Sequence, residues 1–179
     1  MIGNFDIAVV GGGIVGLASA YKIQKEYPKI RIIVLEKEDQ LAKHQTGRNS
    51  GVIHSGLYYR PGSYRAKNCV NGRKQLVEFA KQHSIKHDVC GKVVVAVTKD
   101  ELSRLDKIYE TGKANGLKGI AKIDAKQLNK IEPFVNGLAA IKVPEAGIID
   151  FVGVTKKLAQ LIVEINPESK ILTSCEVLE

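Results

Sequence analysis

Three glycines and an acid carry the clearest chemistry in this chain. They are spaced Gly11-x-Gly13-x-x-Gly16, with Glu36 twenty residues further on. The surrounding stretch, IAVVGGGIVGLASAYKIQKEYPKIRIIVLE, leads an apolar run into the glycines, then a helical pattern, a second apolar run and the acid. Each part suits the binding of a dinucleotide. Gly11 permits the tight turn off a strand. Gly13, lacking a side chain, lets a pyrophosphate approach the backbone. Gly16 lets the helix pack closely. The pyrophosphate then sits at a helix N-terminus, where free N–H groups and the helix dipole favour an anion. A carboxylate at Glu36 can accept hydrogen bonds from ribose hydroxyls and disfavours a 2′-phosphate, which argues against NADP. The competing reading is a strand–helix packing turn with no ligand. The fingerprint alone does not choose between FAD and NAD.

A second group of polar residues lies in Lys43–Pro61, KHQTGRNSGVIHSGLYYRP. Its nineteen residues hold two histidines, two arginines, two tyrosines, three glycines and several hydroxyls. Such density on glycine-permitted backbone suits a loop that wraps a polar ligand. It equally suits a surface loop facing water.

The elements that must position these residues alternate strand and helix at both ends. Phe5–Val10 reads as a buried strand and Val15–Glu26 as a helix with Leu17, Ala20, Tyr21 and Ile23 near one face. Arg31–Glu36 is the second strand of a right-handed βαβ unit. Tyr64–His83 is predicted helical, with Ala66, Cys69, Val70, Leu76, Val77 and Ala80 near the helical period. Lys92–Thr98 is a strand, and Thr98-x-x-Glu101 opens a helix as a capping box that Asn115-Gly116 stops. A short helix at Ala125–Ile131, strands at Leu138–Val143 and Gly147–Ile149, a helix N-capped by Asp150 and a last strand at Ile171–Val177 complete the pattern. The expected fold is α/β: a Rossmann-like parallel nucleotide-binding sheet with an incomplete mixed α+β insertion. The expected boundaries are 1–87 for the first part of the nucleotide domain, 88–146 for the insertion and 147–179 for the return.

The fingerprint, Ala20, Glu36 and HQTGRNSGVIHSGLYYRPGSYRAKNCVNG together resemble the FAD-dependent oxidoreductases of the D-amino-acid oxidase superfamily. Within it the chain is similar to the L-2-hydroxyglutarate dehydrogenase and oxidase group. The likeness continues through CGKVVVAVT, the IEP around Glu132 and Pro133, and GIID, and so covers essentially the whole chain. The resemblance implies FAD, and oxidation of a 2-hydroxy dicarboxylate to a 2-oxo acid by hydride transfer, with oxygen or a quinone as eventual electron acceptor. It implies that Gly11, Gly13, Gly16 and Glu36, flanked by Ile14, Val15 and Lys37, hold the ADP portion. Thr46, Asn49 and Ser50 fall where the family's second FAD segment runs. His54 becomes the candidate catalytic residue, as base or as a contact of the flavin ring. Tyr58, Tyr59 and Arg60 are expected to border the substrate. Glycine, sarcosine or glycerol-3-phosphate oxidation by the same superfamily chemistry stays open, as does a non-catalytic nucleotide-binding module. With 179 residues the chain is shorter than a flavin domain plus a complete substrate domain. It is therefore expected to be the N-terminal part of such an enzyme, inactive and prone to association by itself. Its Leu178-Glu179 end matches a common vector-encoded junction.

The net charge of +8 fits an anionic substrate, an anionic cofactor, an acidic membrane surface or simply a lysine-rich solvated surface. The lysines are scattered and not interleaved with aromatics, which disfavours nucleic acid. No apolar run is long enough to span a bilayer, and the first strand begins too early for a secretory signal. Cys69, Cys90 and Cys175 fit neither a metal-ligand spacing nor a disulfide framework. No metal site is expected, and the compartment expected is the cytoplasm, with association at the inner membrane face compatible with the charge.

Overall fold

The structure is a computed structural model that describes residues 4–178. Its chain forms two compact units. One comprises the described residues through Gly51 together with those from Asp150 onward, and the other is Val52–Ile149.

The first unit is built on a parallel sheet of β1 (Ile7–Val10), β2 (Ile32–Leu35) and β9 (Lys170–Leu172), with β2 in the middle. The β1–β2 register runs Ile7 to Ile32 through Val10 to Leu35. The connection between them is α1 (Ile14–Glu26), which packs against α5 (Phe151–Ile165). Ile32, Val34, Leu17, Ala20 and Ile162 are fully buried. The α1 face differs from the expected one: Gln24 is fully buried, whereas Tyr21 and Ile23 are only partly covered. The reason is a polar knot. The Gln24 amide donates to the carbonyls of Tyr27, Pro28 and Ile30, and its oxygen accepts from Ser169 Oγ at 2.7 Å. Ser169 in turn accepts from the Ile32 N–H at 2.8 Å. A buried amide is tolerated where every polar atom is paired. Asp150 caps α5 as expected, accepting from Gly153 N–H at 2.9 Å.

The last strand is shorter than the expected Ile171–Val177. Pairing ends at Leu172, Ser174 takes φ 52°, and the Ser174 and Cys175 N–H groups donate to the carbonyls of Glu38 and Glu36. The segment turns to cover the end of β2 instead of extending it.

The second unit holds two antiparallel sheets. In one, β7 (Ala139–Val143) lies between β5 (Lys92–Ala96) and β6 (Ala121–Asp124). Helix α3 (Lys99–Ala114) packs on β5 and β7, and α4 (Ala125–Ile131) on β6 and β7. In the other, β8 (Gly147–Ile149) pairs with both β3 (Val52–Ile53) and β4 (His87–Asp88). Helix α2 (Tyr64–Gln82) belongs to this unit. Its buried Arg73 bonds the Glu145 carboxylate at 2.9 Å and the Glu145 carbonyl at 3.0 Å.

The compact units divide at Gly51/Val52 and Ile149/Asp150. Two interactions hold the second unit together at its ends. The β3–β8 pairing draws residues 52–53 and 147–149 into one sheet, and the Arg73–Glu145 ion pair ties α2 to the turn after β7.

Candidate functional site

The residues singled out in the sequence fall in both units and are described unit by unit. In the first, the glycine turn follows β1 directly. Gly11 has φ +106°, a conformation that L side chains rarely adopt, and its N–H donates to the Leu35 carbonyl at 2.8 Å. A Cβ at Gly16 would sit 2.2 Å from the Gly11 carbonyl oxygen and 3.4 Å from Val9 Cγ1. This glycine thus lets α1 press onto the turn and onto β1. A Cβ at Gly13 would meet nothing nearer than Thr46 Oγ1, at 3.3 Å. A side chain at Gly13 would crowd the hydroxyl that caps the start of α1. Ile14 and Val15 form the first turn, and Val15 is 77% exposed despite being apolar.

Glu36 is buried beside this turn. Its carboxylate accepts from the Gly12 N–H at 2.6 Å and from the Glu38 N–H at 3.0 Å. Burial by itself would raise the pKa of this carboxyl. The Glu38 and Gly12 N–H groups, with the nearby His44 ring and the Lys37 ammonium, outweigh it and hold the group below its ordinary range. Glu36 is therefore charged at neutral pH. A carboxylate has about four acceptor positions, and these two bonds leave others to take ribose hydroxyls. Lys37 is exposed and contributes charge.

Gly12, the middle glycine, escapes the sequence pattern because the fingerprint allows any residue there. A Cβ at Gly12 would lie 2.5 Å from Leu41 Cδ2 and 3.0 Å from Glu36 Cβ. Its bareness is what allows the acid to reach the turn. The signal in the sequence was the unbroken Gly11-Gly12-Gly13 run.

Thr46 is buried, and its hydroxyl accepts the Ile14 N–H at 3.0 Å. It caps α1 from another segment, in place of the side chain that Gly13 lacks, and its own hydroxyl proton remains to be donated. Asn49 folds onto its own loop, donating to the Thr46 carbonyl at 2.6 Å and accepting from Gly51 N–H at 2.6 Å. Ser50 is exposed. Asn49 thus shapes the backbone at the start of this segment.

In the second unit, His54 is exposed, and its carbonyl accepts from Cys69 Sγ at 3.3 Å. Its imidazole has no hydrogen-bond partner among the described residues. The loop that follows is pinned by Asn115, whose amide donates to the carbonyls of Gly56 at 2.9 Å and Tyr59 at 2.7 Å. Asn115 was expected only to stop α3; it also fixes the loop carrying three of the expected substrate residues. Ser55 is buried, and its hydroxyl has no partner. Tyr58 is half-exposed under the Lys92 ammonium, Tyr59 is partly buried beside Arg65, and Arg60 is exposed.

The bare Gly11–Gly13 backbone, the start of α1 and the buried charged acid beside them fit the ADP portion of a dinucleotide cofactor. Comparison with known proteins identifies which one. The sequence matches the FAD dependent oxidoreductase family over residues 6–179. The chain belongs to this family. It is 49% identical over 157 residues to L-2-hydroxyglutarate dehydrogenase from Indibacter alkaliphilus, a match covering 88% of this chain and 39% of that protein. It is 48% identical over 174 residues to the human mitochondrial L-2-hydroxyglutarate dehydrogenase, covering 97% of this chain and 37% of that one. The chain thus spans well under half the length of the curated relatives it matches. Among solved structures, the fold is similar to dithionite-reduced L-alpha-glycerophosphate oxidase from Mycoplasma pneumoniae with FAD bound. That likeness has a TM-score of 0.88 at 29% identity, covering 97% of this chain and 45% of that one. Glycine oxidase from Geobacillus kaustophilus shares the fold, with a TM-score of 0.82 at 18% identity over 97% of this chain and 47% of that one.

Proposed function

We propose that this chain forms the nucleotide-binding part of an enzyme that oxidises L-2-hydroxyglutarate to 2-oxoglutarate. The observation that carries the reading is the buried, charged Glu36 locked to Gly12 in the glycine turn, in a chain nearly half identical to dehydrogenases of that name. FAD, when bound, supplies the two-electron acceptor for the hydride of the substrate carbon. Glu36 holds the ribose and α1 receives the pyrophosphate. Ile14, Val15 and Lys37 flank them, and Thr46, Asn49 and Ser50 shape and line the segment beside the turn. His54 is assigned to the substrate hydroxyl proton; its exposed, unpartnered imidazole supports that role. Tyr58, Tyr59 and Arg60 border the substrate, on a loop that Asn115 pins at the Gly56 and Tyr59 carbonyls.

A turnover panel on the complete FAD-loaded protein tests the assignment. L-2-hydroxyglutarate should be oxidised, with glycine, sarcosine and glycerol 3-phosphate inert. Preferential oxidation of glycerol 3-phosphate would transfer the protein to the group represented by its Mycoplasma structural relative. The His54→Ala variant should lose kcat far more than it raises KM; an unchanged kcat would remove His54 from the chemistry.

A further inference from the structure

The second unit contains two partly or fully buried cations, and they are treated differently. Arg73 is neutralised by Glu145, as a charge removed from water requires. Lys92, on β5, is half-buried and has no carboxylate partner among the described residues. What it has is an aromatic face, with its ammonium 4.7 Å from the centre of the Tyr58 ring. A cation–π contact contributes about 0.5–2 kcal/mol, and it leaves the ammonium's three donors without an acceptor. Burial pushes the Lys92 pKa down, with only the Cys69 thiol opposing that shift. The site is furnished for an anion that the described residues do not provide.

The loop that carries its aromatic partner points to the kind of anion. Tyr58 lies on the loop that begins at His54. The same loop is held to α2 by the Cys69–His54 hydrogen bond and to the end of α3 by Asn115. In a 2-hydroxy dicarboxylate one carboxylate shares a carbon with the reacting hydroxyl and travels with it. The other lies several bonds away and needs a cation of its own. We propose that the Lys92 ammonium, held over the Tyr58 ring, receives the distal carboxylate of the substrate and so selects dicarboxylates over shorter 2-hydroxy acids. The inference rests on the function proposed above. Lys92 acts here in specificity and not in the chemical step.

The test compares L-2-hydroxyglutarate with its neutral distal amide, L-2-hydroxyglutaramate, on the complete FAD-loaded protein. In Lys92→Met, KM for the dicarboxylate should rise about tenfold to a hundredfold, the loss of one charge-assisted hydrogen bond. Its kcat and the kinetics of the amide should stay close to wild type, and Lys92→Arg should recover part of the discrimination. Equal effects on both substrates, or on neither, would overturn the subsite while leaving the activity in place. A wild-type protein that oxidises neither compound would remove the activity and the subsite with it. If Lys92→Met does not fold, as judged by circular dichroism, the wild-type protein with dimethylated lysines can be titrated with glutarate. The Lys92 methyl resonance should then shift, and a resonance that stays fixed overturns the proposal.

Discussion

Gly13 and Gly16 belong to one fingerprint, yet the structure gives them different tasks. An alanine at Gly16 would drive its Cβ into the Gly11 carbonyl at 2.2 Å, and backbone cannot move aside cheaply. Gly16→Ala should therefore destabilise the protein by about 1–3 kcal/mol or more, read as a lowered midpoint in urea. Gly13→Ala crowds only the Thr46 hydroxyl, at 3.3 Å, a side-chain atom that can shift more cheaply than backbone, so its midpoint should fall less than that of Gly16→Ala while FAD retention falls. Equal midpoints for the two variants would contradict this division. Glu36 carries a pH signature. Its folded-state pKa is depressed, so it contributes stability that is complete above the unfolded carboxyl value of about 4.3. That stability is lost as pH falls through the lower folded value. Glu36→Gln should flatten the acid limb of the stability profile below about pH 4.3. An unchanged slope there would show that the Gly12 and Glu38 bonds do not favour the ionised form. At this scale the sequence was most legible where a backbone must be bare. The spacing of Gly11, Gly13 and Gly16 names its own geometry. It was least legible at Gly12 and Lys92, whose roles depend on partners 24 and 34 positions away in the chain, Glu36 and Tyr58.

Helix α2 is held in its unit by a contact that local sequence does not show. Its apolar period was readable, but its attachment is polar: Arg73 reaches Glu145 across 72 positions. No local pattern announces such a pair. Arg73→Ala leaves the partly buried Glu145 carboxylate without its guanidinium and should cost about 1–3 kcal/mol. Hydrogen exchange should show the loss of protection within residues 52–149; a cost within error of zero would mean the pair is not buried in solution. The capping residues were legible, because a cap is a local signal. Glu101 accepts from the Val97 and Thr98 N–H groups at 2.7 and 3.3 Å, and Asp150 accepts from the Gly153 N–H; Asp124, which caps α4 in the same way, was not read as a cap. Strands β3 and β4, two residues each, are too short to show alternation. β6 hides because its last residue, Asp124, also caps α4. They are defined by pairing with β7 and β8, which the sequence does not display.

On the scale of the whole molecule, the alternation of strand and helix at both ends announced the parallel sheet, and residues separated by more than a hundred positions complete it. β9 joins β2, and Ser169 accepts from Ile32 across 137 positions. The middle of the chain announced only that it was different. Its boundaries are set by long-range pairing and one buried ion pair. Among the described residues no helix is long and apolar enough to cross a membrane. The charge of +8 sits well with an anionic cofactor and a doubly anionic substrate, which the proposed function supplies. The most direct test of that function is an anaerobic titration of the complete FAD-loaded protein, following flavin absorbance near its visible maximum. L-2-hydroxyglutarate should bleach the flavin in stoichiometric amount while the D-isomer leaves it oxidised. A flavin that stays oxidised with the L-isomer, or a protein that carries no flavin at all, would contradict the account.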